Sequence, residues 1–182
     1  MFKSKKPKVI FYHTMVEEYG RIYAGAIGAA TMKRRSRIVC NKADAVIIPS
    51  EMMKKKLIEY GIKTPIHVIP TGIVIPKRQL SKKEICERFG INPNSKILLH
   101  VGRVSKEKNL DVLLHAAKKV NESGINATLL FVGPGDTEEI AEDAEKLGIG
   151  DRIVFTGGLP KADAQSLYAG CDVFVFSSQT ET

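Results

Sequence analysis

The sequence predicts an α/β fold, with parallel sheets carrying helices on their faces, and three observations predict it. From residue 95 onward, strand-like runs at 96–101, 127–132, 152–155 and 172–176 alternate with helical stretches at 109–122, 136–147 and 161–169. The run at 97–101 is apolar but for His100, as expected of a strand covered on both sides. It leads straight into Val101-Gly-Arg-Val-Ser-Lys-Glu-Lys-Asn-Leu110, which reads as strand, turn and helix start, followed by the stripe Leu110, Leu113, Leu114 and Ala117.

The earlier elements follow in order. Residues 9–12 form a short buried strand, and 15–31 a helix weakened by Gly20, Gly25 and Gly28. A short helix at 36–44 leads to a strand at 45–49. Ser50 then caps a helix at 50–60, which Gly61 stops. Residues 67–70 form a strand. Pro70, Gly72 and Pro76 make the next stretch turn-like, so 71–80 is read as a linker between a domain at 1–70 and another at 81–182. Ser81 opens a helix, Glu84 completes a capping box three residues on, and Gly90 ends it. The last strand, 172–176, runs into a polar segment, 177–182, with no helix to follow, and this pattern predicts a domain cut short.

Composition narrows the classes. The chain of 182 residues is 43% hydrophobic, enough to build a core. Cys40, Cys86 and Cys171 match no metal or redox spacing and are read as reduced thiols of a cytosolic protein, with no metal site. The start, Met-Phe-Lys-Ser-Lys-Lys, is no signal peptide, and no apolar run approaches the ~18 residues of a membrane span. The net charge of +8 is uneven: residues 1–56 hold 13 Lys/Arg against 4 Asp/Glu. The excess lies at Lys3, Lys5, Lys6 and Lys8, at Lys33, Arg34, Arg35 and Arg37, and at Lys54 to Lys56. Such a face suits an anionic membrane surface or nucleic acid, or simply keeps the helices solvated. Nucleic acid is the weaker partner, because no aromatic residues interleave with the cations as stacking platforms.

Four loops should share one edge of a parallel sheet: Gly102-Arg-Val-Ser-Lys-Glu-Lys108, Gly133-Pro-Gly-Asp136, Thr156-Gly-Gly-Leu-Pro160 and 177–182. Two cations at a strand's carboxyl end, beside a helix start, suit a polyanion such as a diphosphate. The plainer reading is a pair of solvated loop cations. Gly133 and Gly135 would let the backbone approach a ligand closely.

Taken together these motifs resemble the large group-1 family of retaining glycosyltransferases, with the two-Rossmann GT-B fold. The C-terminal resemblance rests on Val101-Gly-Arg103 with Lys108-Asn109, on Leu130-Phe-Val-Gly-Pro-Gly-Asp136 and on Ile153-Val-Phe-Thr-Gly-Gly158. It continues through Ala169-Gly-Cys-Asp-Val-Phe-Val-Phe-Ser-Ser178 before Glu181. Nearer the start, Val9-Ile-Phe-Tyr-His13, Ala43-Asp-Ala-Val-Ile-Ile-Pro-Ser50 and Val68-Ile-Pro-Thr-Gly-Ile73 match as well. The resemblance implies Rossmann-like units, with an acceptor-side domain at 1–70 and a nucleotide-sugar domain at 81–182. It implies that Arg103 and Lys108 grip the donor diphosphate and stabilise the leaving group without a metal or other cofactor. The backbone of Gly102, Gly133, Gly135, Gly158 and Leu159 would line the donor loops, with Leu159 near the base. Glu181 matches the first carboxylate of the family's Glu-x7-Glu motif, and His13 its acceptor-side histidine. The family's opening glycine-rich loop and the second glutamate find no counterpart, so an internal fragment is expected.

Within the family, His13-Thr-Met-Val-Glu-Glu-Tyr19 and Pro70-Thr-Gly-Ile73 resemble the branch that glucosylates diacylglycerol at membranes. That implies a cytoplasmic protein, peripheral at the inner face of the membrane, which moves a hexose to a lipid hydroxyl with retention. The rival from another class is a non-catalytic fragment that binds nucleotide or anionic lipid. A Rossmann oxidoreductase is disfavoured, since no Gly-x-Gly-x-x-Gly follows the first strand. An uncovered sheet edge also predicts self-association.

Overall fold

The computed structural model describes residues 6–178. Their contacts divide between Ile73 and Val74 into two compact units. In the first, strands β1 (Val9–Phe11), β2 (Ala45–Ile48) and β3 (Ile66–Val68) form a parallel sheet in that order. The middle strand buries Val46 and Ile48 against Tyr12, Cys40, Met53 and Leu57. Helix α1 (Val16–Cys40) precedes β2, and α2 (Glu51–Glu59) follows it. As expected, Ser50 caps α2, its hydroxyl accepting the Met53 N–H.

Helix α1 departs from expectation. Two helices, at 15–31 and 36–44, were anticipated; instead the helical stretch runs through to Cys40, and its break falls earlier, at Ala24 and Gly25. Gly25 takes φ 60° and ψ −152°, a conformation that a side chain resists. The chain turns back there so tightly that a Cβ on Gly28 would lie 2.2 Å from the Gly20 carbonyl oxygen. The three glycines do more than weaken a helix. They allow its two halves to meet backbone to backbone.

The corner between β1 and α1 rests on a buried polar cluster. The Tyr12 hydroxyl meets Ser36 at 2.9 Å, and Tyr60 donates to the Glu17 carboxylate. Lys56 lies 3.7 Å from Glu17 and 3.3 Å from Glu18. Burial pushes the Tyr12 hydroxyl up to about 12, with the Ser36 hydrogen bond opposing. Burial and then the bond to Glu17 push Tyr60 up as well. Neither phenol ionises near neutrality, so both keep their hydroxyl protons within the hydrogen bonds that brace this corner.

In the second unit, β4 (Lys96–Val101), β5 (Ala127–Val132), β6 (Ile153–Phe155) and β7 (Val173–Phe174) form a parallel sheet in the order β6-β5-β4-β7. Side chains alternate with the period of two that strands impose. Ile97, Leu99, Leu130 and Val132 enter one layer with Leu80, Ile85, Ala164 and Leu167, the side of α3 (Lys82–Phe89) and α6 (Lys161–Ser166). Leu129 and Phe131 enter the opposite layer with Leu113, Leu114, Ala117 and Ala144, from α4 (Asp111–Glu122) and α5 (Glu138–Lys146). Helices therefore cover both faces, which explains why β5 is buried at all six positions. The capping box at Ser81 and Glu84 and the left-handed Gly90 stop bound α3 as the sequence predicts. Several elements are shorter than expected: α4 begins at Asp111, α5 spans Glu138–Lys146, β6 begins at Ile153, α6 ends at Ser166, and β7 keeps only Val173 and Phe174.

Asp172 anchors β7 to the rest of the sheet. Its carboxylate accepts the Ile97 N–H at 2.8 Å and faces Lys82 at 2.9 Å and Lys96 at 3.1 Å. Burial would raise its pKa, but the Ile97 N–H, then Lys82 and Lys96, outweigh that and hold it at about 2, below the ordinary 3.8. A pKa lowered on folding contributes stability above the unfolded value, lost as pH falls through the folded one. That window runs from about 3.8 down to about 2. Solvent reaches 21% of the side chain. After screening, Asp172→Asn is expected to cost about 1–2 kcal/mol at pH 7. The difference from the parent should vanish below about pH 2 when urea midpoints are compared across pH. A constant difference down to pH 2 would contradict the assignment.

Candidate functional site

The order β6-β5-β4-β7 reverses direction between β4 and β7: from β4 the chain moves outward to β5 and β6, then crosses to the other edge for β7. At such a switch point the loops leaving the two strands lie at the sheet's carboxyl edge, where open α/β sheets bind their ligands. The loops after β4 and β7 are the ones carrying Arg103, Lys108 and residues 175–178.

The loop after β4 is built in two parts. Its first part, 102–104, runs beside 133–135. Gly102 N–H donates to Val132, Val104 N–H donates to Pro134, and Val104 forms a parallel bridge with Gly135. The second part, Lys106–Lys108, is a single 3-10 turn, closed by Asn109 in the left-handed region at φ 55°. A helix had been expected to open at Asn109; the turn intervenes because Asn tolerates that conformation where most side chains do not. The Lys108 carbonyl accepts the Ser177 hydroxyl at 2.7 Å, and the Glu107 carbonyl accepts Ser178 at 3.3 Å. Loops from β4 and β7 are thereby tied together.

Arg103 is 59% exposed and donates to the Glu107 carboxylate at 2.7 Å, while Glu107 itself is 1% exposed. Lys108 is buried, with its ammonium 5.7 Å from the Phe176 ring centroid, within cation–π range. Phe176 in turn stacks on the buried His100, whose Nδ1 lies 3.2 Å from the Val175 carbonyl oxygen. His100, within β4, thereby shelves the loop that carries Phe176.

Gly133 and Gly135 have a reason other than ligand approach. A Cβ on Gly133 would lie 1.9 Å from the Gly102 carbonyl oxygen, and one on Gly135 2.1 Å from that of Val104. They let one loop lie against the next. The loop after β6 joins the same row, because Gly133 N–H donates to Gly157 and Gly158 sits beside Pro134. Leu159 packs its side chain partly into the core layer of α3 and α6. Gly102, Arg103, Lys108, Gly133, Gly135 and Gly158 thus gather along one sheet edge of one unit.

His13 belongs to the other unit. It is exposed just beyond β1, with its ring stacked on Phe11 at 5.8 Å. Glu181 lies outside the described residues, as do Lys3 and Lys5. Three contributors escaped the sequence reading: Glu107, Phe176 and the pair Ser177–Ser178. Glu107 was the hardest to see, since nothing local sets a Glu between two lysines apart.

The family model for Glycosyl transferases group 1 matches residues 81–182, and that for Glycosyltransferase Family 4 matches residues 1–75. The chain belongs to the group 1 glycosyltransferases. Among curated relatives of this glycosyltransferase is the alpha-monoglucosyldiacylglycerol synthase of Streptococcus pneumoniae (strain ATCC BAA-255 / R6), 32% identical over 98% of this chain and 42% of that protein. The sulfoquinovosyl transferase SQD2 of Arabidopsis thaliana is 30% identical over 97% of this chain and 34% of its own length. The chain therefore spans less than half the length of these relatives. Among solved structures, Anabaena HepE in complex with UDP and glucose superposes with a TM-score of 0.76 at 21% identity, over 96% of this chain and 47% of that one. The two parallel-sheet units are parts of the GT-B fold.

Proposed function

We propose that the chain carries the donor site of a retaining hexosyltransferase whose donor is a nucleoside-diphosphate sugar. The observation that carries this reading is the placement of Arg103 and Lys108 on one loop at the strand-order reversal, braced by the loop after β7. An exposed guanidinium and a nearby ammonium suit the two phosphates of a leaving nucleoside diphosphate, whose negative charge grows as the sugar departs. No protein nucleophile is assigned: the acceptor hydroxyl attacks on the face the leaving group vacates, without a metal or other cofactor. Leu159 and Gly158 would lie toward the base, Glu181 would orient the donor sugar, and His13 would contact it from the acceptor side. These roles rest on the family resemblance.

A lipid acceptor at an anionic membrane is the favoured finer reading. The pneumococcal relative is named for a glucosylated diacylglycerol. On α1, Tyr23 is 66% and Ile27 83% exposed, and Lys33, Arg34 and Arg35 are exposed on the same element. Exposed basic side chains with apolar ones nearby in the chain suit contact with an anionic lipid surface. No described helix is long and apolar enough to cross a membrane. Co-sedimentation with phosphatidylglycerol vesicles, lost on raising salt, is the expected outcome; equal pelleting with neutral vesicles would argue against the charge term. The exposed Val173 and Phe174 on edge strand β7 favour self-association as a separate property.

The donor reading is tested by titrating the chain with UDP, GDP and ADP in a calorimeter. One of them is expected to bind, with affinity that falls as salt rises. Failure of all three would overturn the donor site in this chain.

A further inference from the structure

Resting on the donor-site reading above, we propose that Glu107 is the positioning residue for Arg103: its buried carboxylate fixes the guanidinium where a nucleoside diphosphate meets it. The two side chains differ sharply in exposure. Glu107 is 1% exposed and Arg103 59%, and they are joined at 2.7 Å. The carboxylate therefore lies beneath the guanidinium, on its protein side, and a ligand arriving from solvent reaches the cation first.

The carboxylate is held on a rigid frame. Glu107 sits in the 3-10 turn Lys106–Lys108, and the carbonyls of Glu107 and Lys108 accept the hydroxyls of Ser178 and Ser177. A buried carboxylate that gives up a bonded cation keeps its cost of desolvation with less compensating attraction, so Glu107 favours retaining Arg103. An arginine held in this way has already given up the rotamer freedom that a free one would lose on binding phosphate. One effect opposes this, since the Glu107 charge lowers the positive potential at the site. The tether prevails because the carboxylate is masked by the guanidinium it holds, whereas positioning acts on every hydrogen bond Arg103 makes.

The experiment is a set of UDP titrations (GDP or ADP if either binds better), by calorimetry and, for weak variants, by ligand-observed NMR. Glu107→Gln keeps the shape and removes the charge. It is expected to weaken UDP binding about 10-fold in the parent and again about 10-fold in Lys108→Ala, yet to change nothing further in Arg103→Ala. A merely structural role, in which the turn collapses, would displace Lys108 too and weaken binding in all three backgrounds. Thermal melting accompanies each variant. If Glu107→Gln does not fold, Glu107→Asp, which draws the charge back by one carbon, serves in the same cycle. Unchanged or tighter binding on Glu107→Gln, or a loss that persists in Arg103→Ala, would overturn the positioning role while leaving the donor site intact. A parent chain that binds no nucleoside diphosphate would overturn both.

Discussion

Replacing Gly133 by alanine is expected to destabilise the C-terminal unit by about 3 kcal/mol, and to weaken nucleotide binding along with it. Two terms add. The backbone at Gly133 has φ 151°, a region that L side chains rarely adopt. The new Cβ would also lie 1.9 Å from the Gly102 carbonyl oxygen, far inside contact distance, and the atom it meets is backbone rather than a side chain that can swing aside. Relief requires loop 102–104 to move, and Arg103 moves with it. The melting transition of this unit should fall by roughly 12–20 °C. Gly158→Ala provides the control: its Cβ would meet Pro134 at 3.6 Å, ordinary contact, so stability should change by no more than about 0.5 kcal/mol. A Gly133→Ala protein as stable as the parent in urea would show that the loops are not packed as described.

Arg103→Ala and Lys108→Ala should each weaken binding of the preferred nucleoside diphosphate by roughly 30-fold, the worth of about 2 kcal/mol for a charge-assisted hydrogen bond. The two variants are distinguishable by what else they lose. Arg103→Ala removes a cationic partner of the buried Glu107 carboxylate, so melting should fall too. Lys108→Ala removes a buried side chain from beside Phe176 and should loosen the loop after β7. In both, the salt dependence of binding should be shallower than in the parent, because one cation fewer faces the phosphates. Binding of either variant within threefold of the parent would remove that residue from the site.

The features legible in the sequence are those that local chemistry dictates. Ser50 and the Ser81–Glu84 pair mark helix starts because short hydroxyl side chains satisfy the first open N–H groups. Gly90 ends α3 because the turn needs a left-handed residue. The apolar run at 97–101 becomes a central strand, covered on both faces, because helices flank a parallel sheet. Arg103, Lys108 and the glycine loops could be assigned to one edge from the βα alternation alone, since parallel strands end on the same side. Membership of the group 1 glycosyltransferases was legible for the same reason: its motifs are short segments at strand ends.

Other features depend on neighbours distant in the chain. Gly20 and Gly28 read as defects in a helix, and only their mutual contact turns them into a crossing point. Gly133 and Gly135 read as openings for a ligand, whereas the atoms that forbid a side chain there belong to Gly102 and Val104, some thirty residues earlier. Nothing local sets Glu107 apart between two lysines, yet the turn and the serines of the next loop bury it under Arg103. The sequence by itself determined the α/β alternation, the helix caps, the family and the edge on which the cations lie, because each follows from residues within a turn or a strand of one another. Only the tertiary structure decided the strand order that sets the loops after β4 and β7 side by side, the reason for the glycines beside them and the carboxylate that holds Arg103. Those depend on which loops become neighbours, and close packing between segments remote in sequence settles that.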